Sequence, residues 1–170
     1  MMGRIVISLS VALLTLNLAA AAPVADKNAE KFLQHVIEGN LAEIQLGKLA
    51  QEKSMDDGIR AFGDMLATDH SAGNEKAMQV ASSLGVNAPA EPNKTQKATY
   101  DKLSKLSGSA FDRQFAKMMV DDHKRNIREF EKESKSSNAQ VAQFAKDTLP
   151  TLREHLEAAQ SLAKVKSAAR

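Results

Sequence analysis

Proline stands at only four positions, 23, 89, 92 and 150, and no other feature limits the fold as much. Inside a helix a proline removes a backbone hydrogen bond and clashes with the preceding turn. The long stretches without it are therefore free to run as helix. They are rich in Ala, Lys, Glu, Gln and Leu, while the whole chain has no Trp and one Tyr. That composition favours helix nearly throughout.

Apolar periodicity divides the chain into four long helices. The first is expected from about Asn28 to Ser54, with Phe32, Val36, Ile37, Leu41 and Ile44 on one face. Asp56 and Asp57 then offer a cap for a second helix that runs to Leu84 and stops at Gly85. Its inward stripe reads Phe62 or Gly63, Leu66, His70, Gly73, Ala77, Val80 and Leu84. A long connection follows, with a loop carrying Pro89 and Pro92 and a short helix expected to be capped by Thr95. Ser109 should cap the third long helix, Ala110 to about Lys135, whose inner face is Phe111, Phe115, Met118, Met119 and Phe130. The turn Ser136-Ser137-Asn138 should cap the fourth, which runs to about Lys166 and contains Pro150.

Short connections after the first and third helices require two antiparallel hairpins. The connection of roughly 24 residues between them can run the ~40 Å length of a 27-residue helix. The fold class expected is therefore all-α, a ferritin-like four-helix bundle with a long crossover containing a short helix. A bundle with the short helix packed across one end is the structural alternative.

The N-terminus reads as a targeting segment. Arg4 precedes an apolar run from Ile5 to Leu18, and Ala19 to Ala22 offer small residues for cleavage after Ala20 or Ala21. Roughly 14 apolar residues fall short of the ~20 that span a bilayer. We therefore expect a signal peptide over 1–22, a helical domain over 23–170, and a periplasmic or secreted product. The absence of Cys excludes disulfides, thiolate ligands and a lipid-attachment cysteine. Loss of Arg4 lowers the net charge from +2 to +1, which argues against nucleic acid as a partner. No nucleophile motif, phosphate-binding glycine loop or nucleotide fingerprint occurs, so an enzyme would have to draw its chemistry from a metal.

One constellation stands out. His70, His123 and His155 each fall about halfway along the second, third and fourth long helices, and Glu43 halfway along the first. At 100° per residue all four fall on or beside the inward stripes, so they are expected to meet in the core. Three imidazoles and a carboxylate suit a transition ion such as Zn, Cu, Fe or Mn. A weak internal repeat strengthens the reading, since Phe62, Met65, Asp69 and His70 match Phe115, Met118, Asp122 and His123 at one offset. Asp69 and Asp122 are candidate acceptors that steady the ligands or add to them. Neighbouring helical residues diverge by about 100°, so such pairing should run across helices rather than between neighbours. The same residues could instead form a structural hydrogen-bond network or a pH-sensitive element. His35, two turns from Glu43, is expected at the surface or the end of the core, and Met118 and Met119 as core filling.

Several separated stretches resemble one bacterial exported family. They are Leu41-Ala-Glu-Ile-Gln-Leu-Gly-Lys-Leu-Ala50, Asp69-His70, Phe111-Asp112, Met119-Val-Asp-Asp-His123 and Leu149-Pro-Thr-Leu-Arg-Glu-His-Leu156. The family is that of domain of unknown function 4142, whose members are often labelled outer membrane proteins. The resemblance implies a ferritin-like fold and an envelope location, and it supplies no activity. Di-iron proteins of that fold carry Glu-x-x-His motifs. Here Ala67, Val120 and Leu152 stand three residues before the histidines, which argues against di-iron chemistry. Two functions follow as expectations: a periplasmic metal-binding protein, or a non-catalytic envelope stress or interaction module whose His/Glu cluster is only structural.

Overall fold

The computed structural model describes residues 25–168. Among them are five helices and no strands: α1 (Lys27–Lys53), α2 (Asp57–Ser83), α3 (Lys94–Ser104), α4 (Gly108–Glu133) and α5 (Ala139–Ala168). The expected targeting segment, 1–22, lies outside the described residues. No described helix is long and apolar enough to cross a membrane.

Local chemistry sets the helix ends. Asp26 caps α1 by accepting from the backbone N–H groups of Asn28 and Ala29, and Asp56 caps α2 through Ile59. The chain leaves α2 through Gly85, whose φ of 69° is open to glycine at little cost. Two expected caps were misplaced. Asn93, not Thr95, caps α3: its side-chain oxygen accepts from the Gln96 N–H, and the Gln96 side-chain oxygen accepts from the Asn93 N–H. Helix α4 starts at Gly108 behind Ser107, ahead of the expected Ser109 cap. Asn138 caps α5 through Gln140 and Val141 as expected, and Pro150 lies within that helix.

Helix α1 packs mainly on α2 and α4 mainly on α5, with lighter contacts of α2 on α5 and α1 on α4. Only residues 54–56 separate α1 from α2, so α2 must turn back along α1. The two helices cross closely at Gly47 and Gly63. A methyl on Gly47 would come within 2.4 Å of the Gly63 carbonyl oxygen, and one on Gly63 within 2.6 Å of that of Gly47.

The apolar core forms two masses. One gathers Phe32, Leu33, Ile37, Phe130, Val141 and Phe144, with Phe32 and Phe130 edge to face at 5.1 Å. The other gathers Leu46, Ile59, Leu66, Phe111, Phe115 and Met119, with Phe111 and Phe115 stacked at 5.4 Å. Burying each such side chain contributes on the order of 2 kcal/mol. At the far side of the second mass, buried Asp112 of α4 accepts a 2.6 Å hydrogen bond from Ser54 and lies 3.8 Å from Lys166 of α5. Lys166 also pairs with Asp56, so this knot joins the α1–α2 turn to α4 and α5.

Candidate metal centre

Buried polar side chains from four helices meet around the middle of the long helices. Glu43 of α1, His70 of α2, His123 of α4 and His155 of α5 are 2%, 6%, 0% and 1% exposed. Their helical stripes bring them there: Leu66 and Ala77 flank His70 on the buried face, as Leu152 and Ala159 flank His155. The three imidazole centroids lie 5.2, 5.3 and 5.9 Å apart. One ring nitrogen from each histidine lies within 4.8 Å of the other two, so this buried group could hold a metal ion.

The outward contacts fix which nitrogens carry hydrogen. His70 Nδ1 lies 2.9 Å from Asn40 Oδ1, an oxygen that can only accept. His123 Nδ1 lies 3.0 Å from the Met119 carbonyl oxygen. His155 Nε2 lies 2.9 Å from Asp69 Oδ2. Each of these nitrogens must therefore donate. In the neutral rings the remaining nitrogens, His70 Nε2, His123 Nε2 and His155 Nδ1, present lone pairs.

Those lone pairs turn toward one another and toward Glu43. His70 Nε2 is 3.2 Å from Glu43 Oε2, His123 Nε2 is 3.7 Å from the same oxygen, and His123 Nε2 is 3.3 Å from His155 Nδ1. Glu43 Oε2 and His70 Nε2 are close enough for an ion pair but do not meet in hydrogen-bond geometry, and both lack a hydrogen-bond partner. Buried acceptors facing acceptors repel unless a cation lies among them. Ligands 2.0–2.1 Å from a tetrahedral ion stand about 3.4 Å apart, close to these separations.

A proton can serve as that cation. Burial opposes ionisation of Glu43, but the charge of His70, then of His123, outweighs it and lowers its pKa to about 2. Burial likewise opposes a charge on His70, and Glu43 overcomes it, so the His70 pKa is raised. Burial lowers that of His155, and repulsion from His70 and His123 adds to the effect against the Asp69 hydrogen bond. Without an ion, Glu43 thus favours a charge on His70 and burial disfavours one on His155.

All four expected ligand candidates come together. Of the two aspartates, Asp69 reaches across from α2 to His155 of α5, the cross-helix pairing that divergence of neighbours requires. Asp122 instead pairs with Arg125 on its own helix, and among the described residues no hydrogen bond joins it to a histidine. Burial, then the Glu43 charge, raises its pKa. His35 is half-exposed beside Glu129, at 3.5 Å. Sequence reading missed Asn40, although a polar residue three before Glu43 on the buried side of α1 was a usable signal. The Met119 carbonyl left no signal, since every residue has one.

A cavity of about 750 Å³ opens onto Glu43, His70 and His155, between α1 and α2 on one side and α3, α4 and α5 on the others. A second, of about 590 Å³, lies between α2 and α5, and Asp69 and Gly73 line both.

The fold is similar to that of a solved structure, a DUF305 fragment from Deinococcus radiodurans. The two share a TM-score of 0.73 at 17% sequence identity, over 84% of this chain and 99% of that one. Identity that low shows a common fold alone. No curated protein matches the chain. The sequence profile of Domain of unknown function (DUF4142) matches residues 15–162, from the N-terminal apolar run to the last turns of α5, and takes in all four residues of the cluster. The chain belongs to the DUF4142 family.

Proposed function

We propose that this is an exported protein that binds a divalent transition ion at Glu43, His70, His123 and His155, within a ferritin-like four-helix bundle. The observation that carries the reading is the acceptor oxygen set against the outer nitrogen of each ring. Each imidazole donates outward, to Asn40, the Met119 carbonyl or Asp69, and leaves its bare nitrogen facing the same small space as the Glu43 carboxylate. Metal-ligating histidines are held in this way by an acceptor on the far nitrogen. Imidazole-rich donors suit Zn, Cu, Fe or Ni, and three imidazoles with one carboxylate match the four ligands that zinc takes. The role is storage or buffering of the ion in the periplasm, where the apolar N-terminal run would deliver the chain.

Elemental analysis of protein purified without a histidine tag tests the reading. About one ion per chain is expected, lost when His70 and His123 are both replaced by Ala. No bound metal, with no rise in melting temperature on adding Zn, Cu, Fe, Mn or Ni, would sink it. A second reading rests on the Glu43–His70 ion pair, which a proton alone can satisfy. The cluster is then a structural network in an envelope interaction module, and the same replacements would alter stability alone.

A further inference from the structure

Gly39 and Gly73 lie inside helices where neither packing nor backbone conformation demands glycine. Gly47 and Gly63 are set by the close crossing of α1 and α2, and Gly85 and Gly108 by positive φ. A methyl on Gly39 would meet nothing within 4 Å, and one on Gly73 only the Asn40 amide at 3.8 and 3.9 Å. Glycine within a helix costs about 1 kcal/mol relative to alanine. Both residues line the cavity of about 750 Å³ that ends on the cluster. What their missing side chains provide is open volume in that cavity.

We propose that this cavity is the port through which the ion reaches and leaves the cluster, held open by Gly39 and Gly73. The inference rests on the metal reading and adds that the ion is exchangeable cargo, loaded without unfolding. Glu43, His70 and His155 line the cavity, while His123 is fully buried and does not. An ion arriving this way meets three ligands first and His123 last. Of the three buried side-chain atoms that lack hydrogen-bond partners among the described residues, two, Glu43 Oε2 and His70 Nε2, belong to residues of that wall. Four carboxylates line it, those of Glu43, Asp69, Asp122 and Glu129, against the permanent cations Lys94 and Arg125, a balance that concentrates cations. Asp69 borders the second cavity as well and is 39% exposed, with one oxygen already on His155. It is the carboxylate placed to take an ion from solvent and pass it inward.

The test is loading of the full chain with Zn²⁺ followed by stopped flow, and extraction of the bound ion by EDTA. Gly73→Leu should slow both rates by about tenfold or more and by the same factor, leaving Kd unchanged, because a plug raises one shared barrier. Gly73→Ala should exchange almost as fast as wild type and melt higher. Gly39→Leu repeats the measurement from α1, so loss of folding in one variant leaves the other to decide. Unchanged rates in the folded plugged variants would overturn the port. So would a change in Kd without matched slowing, which would assign Gly73 to the placement of Asn40 and His70. Failure of the wild-type chain to bind Zn²⁺ would instead remove the metal reading beneath it.

Discussion

His155 of α5 and Asp69 of α2 are joined by a 2.9 Å hydrogen bond from Nε2 to Oδ2, across the main contact between the two helix pairs. Asp69 thus orients a histidine 86 residues away, while its own neighbour His70 is steadied by Asn40 of α1. Replacing Asp69 by Ala should free the His155 ring to rotate or change tautomer. Zinc affinity, read by competition with a chromophoric chelator, should fall about 10–100-fold. Asn40→Ala should act in the same range through His70. Unchanged affinity in both would mean that the outward hydrogen bonds do not position the ligands.

The Glu43 carboxylate should make the ion-free protein sensitive to acid. Its folded pKa, about 2, lies below the 4.5 of an unperturbed glutamate. Its contribution is therefore present above the unfolded pKa and is lost as pH falls through that window toward the folded value. Urea midpoints measured from pH 6 down to about pH 2.5 should fall in wild type, and more shallowly in Glu43→Gln. Equal slopes would show that other carboxylates dominate acid unfolding.

The crossing of α1 and α2 leaves no room for a methyl group. Gly63→Ala would place Cβ 2.6 Å from the Gly47 carbonyl oxygen and 2.8 Å from Ala50 Cβ, so the helices must separate. The cost should be about 1–3 kcal/mol, outweighing the gain in helix propensity, and a lower melting temperature would register it. A higher one would mean that the two helices yield easily.

Asp112→Ala should loosen the end of the molecule where α1 turns into α2. It removes the acceptor of the Ser54 hydroxyl and one of the two carboxylates near Lys166. Loss of a buried hydrogen bond to a charged group costs about 1.5–3 kcal/mol. Amide exchange should quicken first around residues 54–56 and the last turns of α5. A drop in stability with no local change there would place the effect elsewhere.

Much of this was legible in the sequence because helical periodicity is a local property. Four long helices, the short helix in the connection and the inward placing of Glu43, His70, His123 and His155 all follow from spacing. The caps of α3 and α4 were less legible. Ser, Thr and Asn compete for such positions, and the reciprocal Asn93–Gln96 pair decides one of them. The partners of the cluster were harder still. Whether Asp69 faces His155, or Asp122 faces Arg125, depends on the relative rotation of whole helices, which no single helix encodes. The cavity was illegible, since open volume arises from the way several helices fail to fill the space between them. Only its glycines left a mark, and Gly73 read as an ordinary place in the stripe.

The four converging residues are divided evenly between the hairpins: Glu43 and His70 on α1 and α2, His123 and His155 on α4 and α5. An ion bound to all of them would act as a rivet through the seam between the hairpins, where packing is lighter than within either hairpin. In a chain without cysteine, it would supply a cross-link that no disulfide can, closing a loop from residue 43 to residue 155. Unlike a disulfide, such a link is undone by acid or a chelator and restored when either is withdrawn. Mechanical stiffness across the seam would then track the supply of the ion.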